Sequence, residues 1–300
     1  MKMTKYAFVL IHFGDNIQYL ELELYFLTNL KLYTTNNIIY LYSINDTPTK
    51  FVDIIKKYAS KCIPYDDNGI TFNVQEFKSN YTKFNTLRTC NFIFAYNLIK
   101  YKKICLLESD MVIMKNIDAI FELKTPSILS YTTNNFTQNY KNHLPSNKDL
   151  ITNICINKKK FVNGVNGGVI LFTPSIKMFN KYLQNIKVII QNNCPYPNES
   201  LFIYSNPESF NLPVWYNLSY HHLTHFHLSK MKITPTDVID NLVVFHYNET
   251  YKPTTIMRDK WYLELDETNT KDLLRKIPIL HYKQIFDKYS DEIKNYINYY

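Results

Sequence analysis

Three hundred residues, 46% of them hydrophobic, supply enough apolar surface for one large α/β domain with a tail. The net charge of +8 is spread over scattered basic pairs and one Lys158–Lys160 run, which argues against a nucleic-acid partner because such binding needs a clustered basic face. No apolar run approaches the ~20 residues of a membrane span, and the five cysteines (Cys62, Cys90, Cys105, Cys155, Cys194) are odd in number without a CxxC, which predicts reduced thiols in a cytoplasmic protein.

Tyr6 to His12 follows a basic Met1–Lys5 start and faintly imitates a signal peptide. It contains a histidine and runs into Gly14-Asp15-Asn16 without a small-residue cleavage site, so it predicts a first buried strand instead. Phe13-Gly14-Asp15-Asn16 is the turn after it. Gln18 to Leu32 predicts a helix with Leu20, Leu24, Leu27 and Leu30 as its apolar stripe. A second strand over Ile38 to Tyr42 and a short helix over Asp53 to Ser60 complete a β-α-β-α alternation. That alternation predicts a parallel sheet with helices on its faces. Lys83 to Tyr101 predicts a long helix, because Leu87, Cys90, Phe94, Leu98 and Tyr101 fall on one face.

The helix feeds Ile104-Cys105-Leu106-Leu107, a continuous apolar run that reads as a strand buried on both faces. It ends in Glu108-Ser109-Asp110, at the sheet edge where ligands bind in open α/β folds. Two carboxylates one residue apart repel each other unless a cation lies between them. Hard oxygen ligands suit Mg²⁺ or Mn²⁺, ions that also hold substrate phosphates. A plain strand-end turn is the competing reading.

Ser130 to Leu150 is polar and predicts an irregular segment or a lid. Phe161 to Ser175 holds three of the five glycines of the chain, permitting close backbone approach to a ligand. Within it Val169 to Phe172 predicts a strand, and Ser175 caps a helix over Ile176 to Ile189. Asn198-Glu199 suits a helix start, where the dipole favours an acid. His221, His222, His225 and His227 suggest zinc in isolation, but with no cysteine nearby they read as a polar loop. Leu242 to Phe245 predicts a strand ending in His246, with Lys252-Pro253 beyond it. Thr268 to Tyr300 predicts a mostly helical tail broken at Pro278. Packing on the domain, dimerisation and a partner all remain open for it.

Three of these stretches, in this order, resemble glycogenin-like glycosyltransferases (family 8, GT-A fold) over about residues 6 to 255. Glu108-Ser109-Asp110 stands in the D-x-D position, and Asn116 to Phe121 follows as N-x-D-x-L-F. Phe161 to Ser175 resembles F-N-S-G-V-x-x-F-x-P-S, with Asn166 in the asparagine slot and Gly167 for serine. Val244 to Pro253 resembles V-x-H-F-x-G-x-x-K-P-W, keeping His246 and Lys252 but lacking the glycine and carrying Thr254 for tryptophan. Asn198-Glu199 occupies the D-Q position in swapped order, and Leu212 to Asn217 resembles L-P-x-x-Y-N on the acceptor side.

The resemblance implies a Rossmann-like mixed central sheet flanked by helices over residues 1–265, with a helical C-terminal extension over 266–300. It implies retaining transfer of a hexose, glucose or galactose, from a UDP-sugar to a glycan or protein hydroxyl. Mn²⁺ or Mg²⁺ would be held by Glu108, Asp110 and His246. Phe13, Gly14, Asp15, Asn16, Ser109, Gly167 and Lys252 would contact the donor, together with Lys83 or its rival Arg88. Asn166, Asn198 and Glu199 would face the transferred sugar. Glu108 for aspartate and the swapped Asn198-Glu199 also fit a nucleotide-sugar or glycan binder that has lost turnover.

Overall fold

Apolar runs decide the centre of the molecule. The computed structural model describes residues 5–67, 88–130, 165–191, 196–219, 234–247, 252–265 and 270–298. Tyr6–His12 (β1), Asn37–Ser43 (β2) and Lys103–Leu107 (β4) each have four successive buried residues, as parallel strands covered on both faces should. Lys61–Tyr65 forms β3, Ser127–Ser130 β6, Val165–Phe172 β7 and Phe210–Asn211 β8. They assemble into one seven-stranded sheet in the order β3-β2-β1-β4-β7-β6-β8. β3, β2, β1 and β4 are parallel, β7 runs antiparallel to both β4 and β6, and β8 lies parallel to β6. The sheet is therefore mixed, with its parallel half first in the sequence.

Strand side chains alternate between two cores, following the period of two. Phe8, Leu10, Tyr40, Cys105 and Leu107 face one core, shared with α1 (Ile17–Leu32) and the C-terminal helix. Ala7, Val9, Ile39, Leu41, Ile104 and Leu106 face the other, shared with a 3₁₀ helix (Thr89–Asn97), α3 (Ile176–Gln191) and α4 (Pro197–Ser205). The remaining helices are α2 (Thr49–Ile55), α5 (Pro235–Asn241), α6 (Pro253–Arg258) and α7 (Thr270–Asn298). Among the described residues, no helix is long and apolar enough to cross a membrane.

A second, three-stranded sheet sets the site. Met111–Ile113 (β5) pairs antiparallel with Val244–His246 (β10), which pairs in parallel with Leu218–Ser219 (β9). Asn29, buried in α1, ties the free edge of β5 to the main layer. Its Nδ2 donates to the Ile113 carbonyl at 3.1 Å, and its Oδ1 accepts the Ile113 N–H at 2.6 Å. Leucine at Asn29 would strand both backbone groups at ~1–3 kcal/mol each. Urea unfolding of Asn29→Leu is expected to show a loss of about 2–5 kcal/mol; a loss under about 1 kcal/mol would mean that this bridge does not hold β5.

Several sequence expectations need correction. The stripe predicted for α1 is instead burial all round from Leu20 to Leu30, because α1 lies between the sheet and α7. Its acids are accommodated by partners: Glu21 pairs with Arg258 of α6, and Glu23 pairs with His12. The predicted helix over Lys83 to Tyr101 is a 3₁₀ helix over Thr89–Asn97, and the stretch before Arg88 lies outside the described residues. Cys90 to Tyr96 are buried consecutively, so the one-sided pattern of an amphipathic α-helix does not apply. The short helix predicted from Asp53 is α2, which starts at Thr49 after Pro48 pre-sets the chain at φ −60°. Ser60 immediately precedes β3, its N–H donating to the Ile38 carbonyl and its hydroxyl accepting the Ile38 N–H. Pro278 does not break the tail: α7 runs through it, with Leu274 and Ile279 on either side buried in one core.

Candidate active site

β4 delivers Glu108 and Asp110 to the sheet edge, and the small sheet brings His246 to them. His246 is the register partner of Met111, and the Tyr247 N–H donates to the Asp110 carbonyl at 2.8 Å. His246 Nε2 lies 3.3 Å from Glu108 Oε2 and 3.3 Å from Asp110 Oδ1. One ligand atom from each of the three lies within 4.8 Å of the others, the arrangement a small cation requires.

The chemistry of this donor set fits a divalent cation, and the decisive group is the imidazole. His246 Nδ1 faces two oxygens, Asn217 Oδ1 at 3.0 Å and Asn166 Oδ1 at 3.2 Å. Nδ1 therefore carries a hydrogen. In the neutral ring this leaves the Nε2 lone pair aimed between the two carboxylates, and Nε2 is buried with no hydrogen-bond partner. Without a cation the ring takes up the positive charge itself. Burial opposes this, but Asp110 and Glu108 prevail and raise the His246 pKa to about 9. Asp110 is also buried, yet His246 and Lys252 hold its carboxyl well below the usual range. Lys252 Nζ pairs with Asp110 Oδ2 and contacts the Tyr247 carbonyl at 3.3 Å.

Asn166 organises the layer behind. Its Oδ1 accepts the Gly168 N–H at 2.9 Å and Asn217 Nδ2 at 2.8 Å, as well as facing His246. Gly168 has no room for a side chain: a Cβ there would meet His246 Cε1 and Met111 Cε at 2.5 Å. Glu199, in the first turn of α4, accepts the Gly167 N–H at 2.9 Å. Alanine at Asn217 removes one acceptor from the His246 ring. Calorimetric Mn²⁺ titration of Asn217→Ala should show an affinity drop of roughly 10–100-fold; wild-type affinity would exclude Asn217 from orienting the ring.

A cavity of about 620 Å³ opens above this floor. Phe13, Gly14, Asp15 and Asn16 form one wall, and Glu108, Ser109, Asp110, Gly167, Asn198, Arg88 and Lys252 also line it. Its size suits a nucleotide-sized ligand. Asn166, Glu199 and His246 are not in the wall but buried behind it. Asn16 doubles as the cap of α1, its Oδ1 accepting the Gln18 N–H at 2.9 Å. Arg88 is bound by Asp46 and by Asp67 (3.1 Å), and its guanidinium stacks over Phe13 at 4.6 Å. Lys83, the proposed lid between Ser130 and Leu150, and the His221–His227 cluster lie outside the described residues.

The sequence reading missed two contributors here. Asn217 was visible only as the last residue of an L-P-x-x-Y-N segment, and Gly168 only as one of a glycine pair.

No family model matches the chain. A curated relative, an uncharacterized protein of Acanthamoeba polyphaga mimivirus, is 25% identical over 273 residues, covering 90% of each chain. Among solved structures, the bifunctional glycosyltransferase WbbM superposes with a TM-score of 0.56 at 12% identity, over 83% of this chain and 47% of its own. The glycosyltransferase GlyE of Streptococcus pneumoniae gives 0.54 at 14% identity, over 96% of this chain and 64% of its own. The galactosyltransferase LgtC, solved with donor and acceptor sugar analogues, gives 0.50 at 11% identity, over 82% of this chain and 88% of its own.

The fold is GT-A.

This chain thus spans about half of WbbM and just under two thirds of GlyE, and nearly all of LgtC. In this GT-A fold the carboxylate pair after β4 lines the cavity and meets the histidine ending β10 just behind its wall.

Proposed function

We propose that this chain is a metal-dependent retaining glycosyltransferase of the glycogenin-like type. It moves a hexose, glucose or galactose, from a UDP-sugar to a glycan or protein hydroxyl. One observation carries the reading: Glu108 and Asp110 line a nucleotide-sized cavity with Lys252 beside them, and His246 converges on them from behind its wall. The GT-A fold of the chain and the glycosyltransferases that share it support the same reading.

Glu108, Asp110 and His246 would hold Mn²⁺ or Mg²⁺. When bound, the ion supplies the charge that stabilises a leaving diphosphate. Asp110 is kept ionised for that task by its neighbours, and Asn217 and Asn166 orient the His246 ring. Lys252 adds a point charge that can pass from Asp110 to a phosphate oxygen. The Phe13–Asn16 loop takes the nucleoside side of the cavity, while Asn198, with Asn166 and Glu199 behind it, takes the sugar side. In a retaining transfer, a polar side chain beside the anomeric carbon stabilises developing positive charge.

The test is UDP release from a panel of UDP-sugars, with Mn²⁺ and with EDTA. Metal-dependent turnover of one donor is the expected result. UDP binding with no turnover of any sugar would leave a nucleotide-sugar binder without transfer activity. No UDP binding at all would overturn the reading of the cavity.

A further inference from the structure

His12 ends β1 directly before the Phe13–Asn16 loop and is 2% exposed. Both of its ring nitrogens face acceptors. Nδ1 lies 3.0 Å from Glu23 Oε1, and Nε2 lies 3.0 Å from the Gly14 carbonyl oxygen. A carbonyl can only accept, so Nε2 carries a hydrogen, and a carboxylate is best met by a second one on Nδ1. The other Glu23 oxygen accepts the Tyr40 hydroxyl at 2.5 Å.

We propose that His12 is a positioning residue, an imidazolium clamped between Glu23 and the Gly14 carbonyl, that shapes the cavity loop and makes nucleoside diphosphate affinity depend on its protonation. The inference rests on the reading that such a ligand occupies this cavity.

Gly14 makes the clamp effective. It sits at φ +90°, and its N–H donates to Asp46 Oδ1 at 3.0 Å while its carbonyl faces His12. Asp46 also binds Arg88, whose guanidinium covers Phe13. One chain of polar contacts thus runs from Glu23 through His12, Gly14 and Asp46 to Arg88. When His12 loses a proton, the remaining hydrogen stays on Nδ1, facing the charged Glu23. The Nε2 lone pair then confronts the Gly14 carbonyl, and the loop must shift.

The groups around the ring favour the charged form. Glu23 faces it from α1. Tyr40 stacks on it from β2 at 5.7 Å, and Asp46 follows β2. The Phe51 edge meets it from α2, and the Tyr65 hydroxyl donates to the His12 carbonyl from β3 at 3.0 Å. Arg88, the cation on this side, is paired with Asp46 and Asp67. Burial lowers the His12 pKa, but Glu23, the Gly14 carbonyl and Asp46 together raise it above the ordinary value. The clamp is therefore closed below that raised value and opens as pH rises through it.

The experiment is UDP titration calorimetry at saturating Mg²⁺ between about pH 6 and 9, on wild type, Glu23→Gln and His12→Gln. Glutamine at residue 23 keeps an acceptor but removes the charge; glutamine at residue 12 keeps a donor that does not titrate. Wild type should lose about tenfold in affinity across its break. The break should fall by a pH unit or more in Glu23→Gln and vanish in His12→Gln. ¹⁵N NMR of the wild-type His12 ring provides a readout independent of variant folding, and a ring already neutral at about pH 6 overturns the proposal. Three superimposable profiles also overturn it while leaving the cavity reading intact. Absence of UDP binding by wild type at every pH overturns both.

Discussion

Replacing Asp110 with asparagine is expected to leave the fold standing and to cut metal-dependent sugar transfer by roughly 10²–10³-fold. Asp110 is the point where the charges of the site meet. Its carboxylate lies beside His246 Nε2 and Lys252 Nζ, and its backbone carbonyl accepts the Tyr247 N–H. Asparagine keeps the shape and the backbone contact but removes the charge that a cation and Lys252 both need. Lys252 is partly exposed and can turn to solvent, so the loss falls on function more than on folding. Thermal unfolding should stay within a few degrees of wild type while UDP release with Mn²⁺ drops to the level seen with EDTA. A variant retaining more than about a tenth of wild-type turnover would remove Asp110 from the metal site.

Alanine at Gly168 should be nearly as damaging, although residue 168 does not line the cavity. Its Cβ would lie 2.5 Å from His246 Cε1 and 2.6 Å from His246 Nδ1. The Met111 methyl, also at 2.5 Å, is the end of a flexible chain and can yield. The imidazole cannot, because Asn217 and Asn166 hold the Nδ1 that the new methyl would press on. We expect a stability loss of about 1–3 kcal/mol from overpacking and a fall in Mn²⁺ affinity of at least roughly 10–100-fold. Gly167→Ala provides the contrast. Its Cβ would meet Asn198 Nδ2 at 3.1 Å and Glu199 Cγ at 3.2 Å, a crowding that side-chain shifts of a few tenths of an ångström relieve. Wild-type Mn²⁺ binding by Gly168→Ala would show that the ring is not fixed as described.

What the sequence made legible follows from the range of the forces involved. β1, β2 and β4 were readable because a strand buried on both faces must be a short continuous apolar run. Glu108, Asp110 and His246 were readable as a group only through their resemblance to a family pattern. Nothing in local spacing says that a histidine 136 positions after Asp110 pairs with the strand beside it. The two-sided burial of α1 was hidden because Glu21 and Glu23 look solvent-facing until Arg258 and His12 arrive from elsewhere in the chain. The continuity of α7 through Pro278 was hidden for the same reason: local propensity predicts a break, and packing on a shared core outweighs it. Gly168 was legible as permissive backbone, but the reason for it is a ring that only the folded chain puts there.

The placement of α7 over α1 also has a consequence for biosynthesis. Tyr25 of α1 stacks on Phe286 at 5.0 Å, and Tyr282, Ile285 and Ile293 share its core. Translation delivers α1 long before its cover. At ~5–20 residues per second, the outer face of α1 stays bare for a time on the order of tens of seconds. During that interval the nascent chain carries an uncovered aromatic and leucine surface, the kind of surface that favours aggregation. A ribosome stalled before α7 emerges would present that same surface to quality control.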